Sequence, residues 1–220
     1  TATIDFSVFT PGTYEYTYTQ NLLPNVCTEE STTVQVIILE DPNAGVATNA
    51  SICENEIVAN SPFDLFTTLD GSQDNNTGVW TDASGATVTS PIDISSFTVT
   101  GSPFEYTYTI TNGACEDSET ISIIIEPAPE SGNAISPLEI CFEELAANSP
   151  LDLFTLLDGT QDTNGTWYDG LDSSGTAVSN PIDISSLTDG TYNYTYSVPN
   201  IGSCSDVDVT VQLIVLPQPS

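Results

Sequence analysis

One phrase occurs three times in this chain and limits what it can fold into. Residues 14–19 read Tyr-Glu-Tyr-Thr-Tyr-Thr, residues 104–109 read Phe-Glu-Tyr-Thr-Tyr-Thr, and residues 192–197 read Tyr-Asn-Tyr-Thr-Tyr-Ser. Aromatics at every second position put three rings on one face of a strand and polar residues on the other. Three rings on a face must be buried, so the phrase predicts a strand at the centre of a sheet packed against a second sheet. Each copy continues into a cysteine (Cys27, Cys115, Cys204) and then a β-branched run that ends near a proline.

The cysteines give the period. Cys27 to Cys115 is 115 − 27 = 88 residues, Cys115 to Cys204 is 204 − 115 = 89, and Cys53 to Cys141 is 141 − 53 = 88. About 88 residues is the size of a small β-sandwich. The 220 residues then divide into the second half of a unit over 1–41, a whole unit over 42–129 and another over 130–220, strung end to end. Proline-bearing segments at 40–45 and 126–132 read as linkers. Each whole unit is expected to hold one disulfide, Cys53–Cys115 and Cys141–Cys204, with Cys27 left unpaired in this stretch. Closing the 62-residue loop from Cys53 to Cys115 would stabilise a unit by about 4 kcal/mol on the chain-entropy model.

Charge excludes several classes of partner. The chain has no Lys, Arg or His against 31 acidic residues, a formal charge of −31. Such a surface repels nucleic acid and anionic membranes. No apolar run approaches the length of a membrane span. Repeated cysteines in a β-rich chain, with no Cys-x-x-Cys pair, point to disulfides and an extracellular location rather than to zinc. The absence of Lys and Arg also removes the cleavage sites of trypsin-like proteases.

Ser61-Pro62 and Ser149-Pro150 read as an N-cap followed by proline at the first helical position. They predict a helix of one or two turns whose Phe66 and Leu69 face the core. Trp80 and Trp167 follow polar loops, as the core Trp of a sandwich does. Those loops hold the candidate calcium ligands: Asp70, Asp74, Asn76 and Asp82 in the first copy, Asp158, Asp162, Asn164 and Asp169 in the second. Their oxygens suit a hard cation, although they lack the spacing of an EF-hand, and Asp, Asn and Gly also build ordinary turns. Catalysis finds no support, because no His or Lys is present and no Ser or Cys has an activating partner. The expectation is that the chain is not an enzyme. The aromatic rows read as core rather than as a sugar-stacking platform.

Three strings carry a resemblance. They are Asn-Ser-Pro-x-Asp-Leu-Phe-x-x-Leu-Asp-Gly at 60–71 and 148–159, Gly-x-Trp at 78–80 and 165–167, and Gly-x-Tyr-x-Tyr-x-Tyr at 12–18 and 190–196. With the cysteine and closing strand that follow, the pattern resembles the Ig-like repeats of giant surface proteins of Bacteroidota. These include gliding-motility adhesins of the SprB kind, exported by type IX secretion. The resemblance implies a cell-surface adhesin stalk whose repeats act as spacer and scaffold, with neighbouring repeats of the same chain as first partners. Family repeats usually carry Gly-Gly or Gly-x-Pro where this chain has Asp70-Gly71-Ser72-Gln73. The alternatives are an array of carbohydrate-binding modules that meets surface glycans, or a self-assembling filament subunit.

Overall fold

The structure is a computed structural model that describes residues 3–20, 29–74, 78–135 and 137–218. Cys27 and Asn76 lie outside the described residues. The chain forms two compact units. One comprises Thr1–Ala50, Phe63–Ile92 and Phe104–Ser122, and the other Ser51–Pro62, Asp93–Pro103 and Ile123–Ser220.

Three sheets account for nearly all the regular structure. β1 (Gly12–Gln20) and β2 (Glu30–Ile38) form an antiparallel ladder from Gly12 opposite Ile38 to Gln20 opposite Glu30. The next sheet holds β3 (Ala50–Cys53), β4 (Val79–Asp82), β5 (Thr87–Val88), β6 (Phe104–Asn112) and β7 (Cys115–Glu126), in the order β3-β7-β6-β4-β5. The last holds β8 (Leu138–Cys141), β9 (Thr166–Asp169), β10 (Thr176–Val178), β11 (Gly190–Val198) and β12 (Val207–Leu216), in the order β10-β9-β11-β12-β8. Each five-stranded sheet draws all its strands from one sequence copy. The all-β expectation holds.

Two of the three copies of the aromatic phrase fall where their rings require, while β1 lies in a two-stranded ladder with Tyr18 71% exposed. β6 and β11 are the third of five strands, and the last rings of the phrase, Tyr108 and Tyr196, are fully buried. Trp80 lies 5.1 Å from Tyr108 between ring centroids, and Trp167 lies 4.9 Å from Tyr196. Phe66 and Phe154 meet these pairs edge-on. Alternate residues of β12, Val211, Leu213 and Val215, supply the aliphatic part of the core with Leu153, Leu156 and Ile184. Each such side chain contributes roughly 2 kcal/mol by leaving water.

The buried tyrosines also fix the loops above them. Tyr196 Oη donates to the Asp162 carbonyl at 2.8 Å and accepts the Gly165 N–H at 2.8 Å. Tyr108 Oη likewise accepts the Gly78 N–H at 2.9 Å. Only glycine fits beneath these rings: a Cβ on Gly165 would stand 2.4 Å from the Ser197 carbonyl oxygen, and one on Gly78 2.5 Å from Tyr108 Cζ.

Two expectations need correction. The Ser-Pro helix is a single 3-10 turn, Leu65–Thr68, capped by the Asp64 carboxylate, which accepts the Phe66 N–H at 3.0 Å. Ser61 does not cap it, because its hydroxyl donates to Asp93 at 2.9 Å and accepts the Ile94 N–H at 3.2 Å. Asp152 and Ser149 repeat this division of labour around Leu153–Leu156. Leu69 is buried as expected, and Phe66 is half-buried. The layer opposite each five-stranded sheet is not a full second sheet among the described residues. It holds single bridges, Phe63 to Ile92 and Ala47 to Leu69, with Leu151 to Ile182 and Ala134 to Leu157 as counterparts. Pro62, Pro91, Pro150 and Pro181 stand beside the bridging residues and lack the N–H that would extend a ladder.

Tyr196→Phe strips one partner from both the Asp162 carbonyl and the Gly165 N–H. It should cost roughly 1–3 kcal/mol of unfolding free energy, read as a lower urea midpoint. Gly165→Ala should cost more, through its backbone clash. Unchanged midpoints would show that the loop does not depend on this tie.

Candidate functional site

The Asp-rich loops grip the segment that leads into each copy. Asp70 Oδ1 accepts the Ser72 N–H at 3.0 Å, the Ser72 hydroxyl at 2.7 Å and the Val46 N–H at 3.1 Å. Asp74 and Asn43 exchange two bonds: the Asn43 N–H donates to the Asp74 carboxylate at 2.8 Å and the Asp74 N–H to the Asn43 carbonyl at 2.9 Å. Asp117 takes the Ala44 N–H at 2.8 Å. In the second copy Asp158 accepts from Thr160, through its N–H and hydroxyl, and from Asn133, through its N–H and side-chain amide. Asp162 and Glu130 repeat the two-bond exchange. Gly45 and Gly132, at φ of +89° and +74°, let the chain turn against these carboxylates. Segments that read as linkers are thus fastened from residue 43 and residue 130 onward. The signal that could have found this is the pairing of each linker glycine with an Asp-Gly-x-Gln loop.

The other candidate ligands are placed differently. Asp82 caps its hairpin turn, its carboxylate accepting the N–H groups of Ser84 and Ala86 and the Ser84 hydroxyl. Asp169 lines a shallow groove of about 510 Å³ with Asp183 and Tyr194. Asn164 stands in the loop between Asp162 and Trp167. Among the described residues no three acidic, Cys or His side chains converge on one point. A cation at Asp70 or Asp158 would compete with the N–H donors already aimed at those oxygens.

Hydrogen bonds to the ionised form hold seven aspartates below the ordinary value of about 3.9. For Asp158 the Asn133 amide and the Thr160 hydroxyl are the main causes. Asp183 is lowered to about 2 by its bonds with Ser185 and then Ser149. Burial acts in the opposite sense on Tyr194, raising its pKa, with Asp169 adding to the effect.

Among the described residues the cysteines form one bond, and it is not the expected one. Cys53 and Cys204 are joined, with Cα atoms 4.8 Å apart, while Cys115 and Cys141 are free. The pairs Cys53–Cys115 and Cys141–Cys204 are therefore corrected, and strand length is the reason. β8 runs parallel to β12 with Cys141 opposite Leu216, whereas Cys204 precedes Val207. From 207 to 216 is nine residues, about 30 Å along a strand, against a Cα limit near 7 Å for a disulfide. In the first copy Ser51 bonds the Glu126 carboxylate at 3.1 Å, so β3 lies at the far end of β7 from Cys115. The bond lies within the second compact unit, where Ser203 Oγ also approaches Ser51 Oγ at 3.4 Å and the Glu126 side chain lies against Gly202.

Within each sheet, β9, β11 and β12 and their counterparts β4, β6 and β7 repeat the C, F and G strands of an immunoglobulin domain, with the Trp of the C strand buried. The strand order defines an Ig-like, all-β protein. No known family pattern matches the chain, and no curated protein matches it. Solved structures to which it is similar include an I-band fragment of titin with three Ig domains, as an E-to-A variant (11% identity, TM-score 0.46, 93% of this chain and 75% of that one). The same titin fragment without that change has a TM-score of 0.43 at 11% identity, covering 95% and 75%. Extracellular domains 3–5 of Drosophila OTK give 0.32 at 13% identity, covering 91% and 70%.

The lowered aspartates set the acid response. A carboxylate whose folded pKa is depressed stabilises the fold fully above its unfolded value near 4, and that stabilisation is lost as pH falls through the folded value. Melting temperature should therefore fall steeply between about pH 4 and pH 2. Between pH 7 and about 4.5 it should hold or rise, as protonation of other carboxylates relieves self-repulsion. A melting temperature constant down to pH 2 would show that these hydrogen bonds do not hold the loops.

Proposed function

We propose that this chain is a stretch of the structural stalk of an extracellular adhesin, serving as spacer and scaffold for surface attachment or gliding. The domain reading is three copies, 1–41, 42–129 and 130–220. The observation that carries the proposal is the Cys53–Cys204 bond, which ties one copy to the next. Other features agree with it. Tyr106, Tyr108, Tyr194 and Tyr196 are spent on the core rather than offered to a ligand, and the loop carboxylates are spent on the lead-in segments. A disulfide fits an oxidising compartment, and no helix among the described residues is long and apolar enough to cross a membrane.

Pulling the protein from its two ends tests the load-bearing reading. Oxidised protein should release only the residues outside the Cys53–Cys204 loop. Reduction should free the chain held between them, a sequence separation of 151, for a gain on the order of 500 Å in extended length. Equal lengths in both redox states would remove the support for a covalently tied stalk. The stalk reading also expects no retention on a glycan array. Specific binding to a defined glycan would replace it with the carbohydrate-binding alternative.

A further inference from the structure

The bond between Cys53 and Cys204 joins the opening strand of one copy to the hairpin of the next, and the two free cysteines occupy the equivalent positions. Cys141 ends its opening strand as Cys53 does, and its side chain is exposed. Cys115 follows the hairpin glycine Gly113 by two residues, as Cys204 follows Gly202. We propose that Cys115 and Cys141 are half-sites of the same copy-to-copy disulfide. The partner of Cys115 is the opening-strand cysteine of a preceding copy, and the partner of Cys141 is the hairpin cysteine of a following copy.

Equivalence of position is not the only support. Both hairpins meet the strand end of the copy before them in the same way. A Cβ on Gly202, at φ +56°, would lie 2.7 Å from the Glu126 side chain, and one on Gly113, at φ +62°, would lie 2.5 Å from Leu39 Cδ1. Glu126 is the last residue of its copy's final strand, and Leu39, its counterpart in sequence, directly follows the last residue of β2. The next residue is engaged as well: the Asn112 amide donates to the Glu40 carbonyl at 2.9 Å, and Cys204 Sγ lies 3.4 Å from the Pro127 carbonyl oxygen. In the second unit this seat brings Cys204 to Cys53. The same seat around Cys115 faces the place where the opening strand of the earlier copy would end. Strand length has already ruled out a bond within a copy, so each copy would give one cysteine forward and one back. Bond formation is thiol–disulfide exchange. Two thiols pass two electrons and two protons to a disulfide donor such as oxidised glutathione, which leaves as two glutathione thiols.

Appending residues 131–220 after Ser220 tests this, because Ser220 corresponds in register to Glu130. The extended chain is oxidised with glutathione, alkylated, cut with an acidic-residue-specific protease and mapped without reduction. The expected result is Cys53–Cys204 together with a bond from Cys141 to the appended copy's counterpart of Cys204. Cys141→Ser should leave that counterpart alkylated while Cys53–Cys204 persists, which shows that the rest of the chain has folded. Prepending residues 42–88 before Thr1 should in the same way bring Cys115 into a bond with the added counterpart of Cys53. A chain that forms Cys53–Cys204 but leaves Cys141 and Cys115 alkylated, or that pairs cysteines within a copy, overturns the proposal.

Discussion

The short opening strand of a copy lies beside the end of its final strand, and this placement governs the covalent structure. In the second copy the pairing is parallel, with Cys141 opposite Leu216. A parallel neighbour at the strand's end puts the opening cysteine where the chain leaves the sheet. The hairpin cysteine sits before the start of the same strand, at the other end. The two cysteines of one copy are thereby kept about a strand length apart. What the opening cysteine does meet is the hairpin of the following copy. On the chain-entropy model, a loop of 151 residues removes enough unfolded-state freedom to stabilise by about 5 kcal/mol, comparable to the whole stability of a small domain.

A chain without any cationic side chain must solve its electrostatics by other means. Here backbone N–H groups and hydroxyls act as the positive ends of dipoles that cations would otherwise supply. Asp70, Asp82, Asp158 and Asp183 each gather two or more such donors. The same bonds that neutralise the carboxylates fasten the loop, the hairpin and the lead-in segment. Acidity and rigidity thus have one physical origin, and the remaining carboxylates are free to keep neighbouring molecules apart.

Much of this fold was legible because its signals are local. Period-2 aromatics placed β6 and β11 at the centres of their sheets, and a Trp after a polar loop gave the buried ring of β4 and β9. Asp-Gly-rich stretches marked turns. What failed depended on choices between partners. Ser61 looked like a helix cap, but its hydroxyl is used on Asp93 and Ile94, and Asp64 two residues past Pro62 takes the role. A second sheet was expected from the burial of rings, yet prolines beside Phe63 and Ile92 stop its ladder at single bridges. The disulfide pairing was illegible for a further reason. A regular period is equally consistent with a bond within a copy (Cys53 to Cys115, 115 − 53 = 62) and with one between copies (Cys53 to Cys204, a separation of 151). Only the register of β8 on β12 separates them.

Because the copy-to-copy bond is the central claim, its most direct test is the pairing itself. The 220-residue chain, alkylated before denaturation and digested without reduction, should yield a peptide pair containing Cys53 and Cys204, with Cys115 and Cys141 recovered as alkylated thiols. Recovery of Cys53 with Cys115 and of Cys141 with Cys204 would contradict the account.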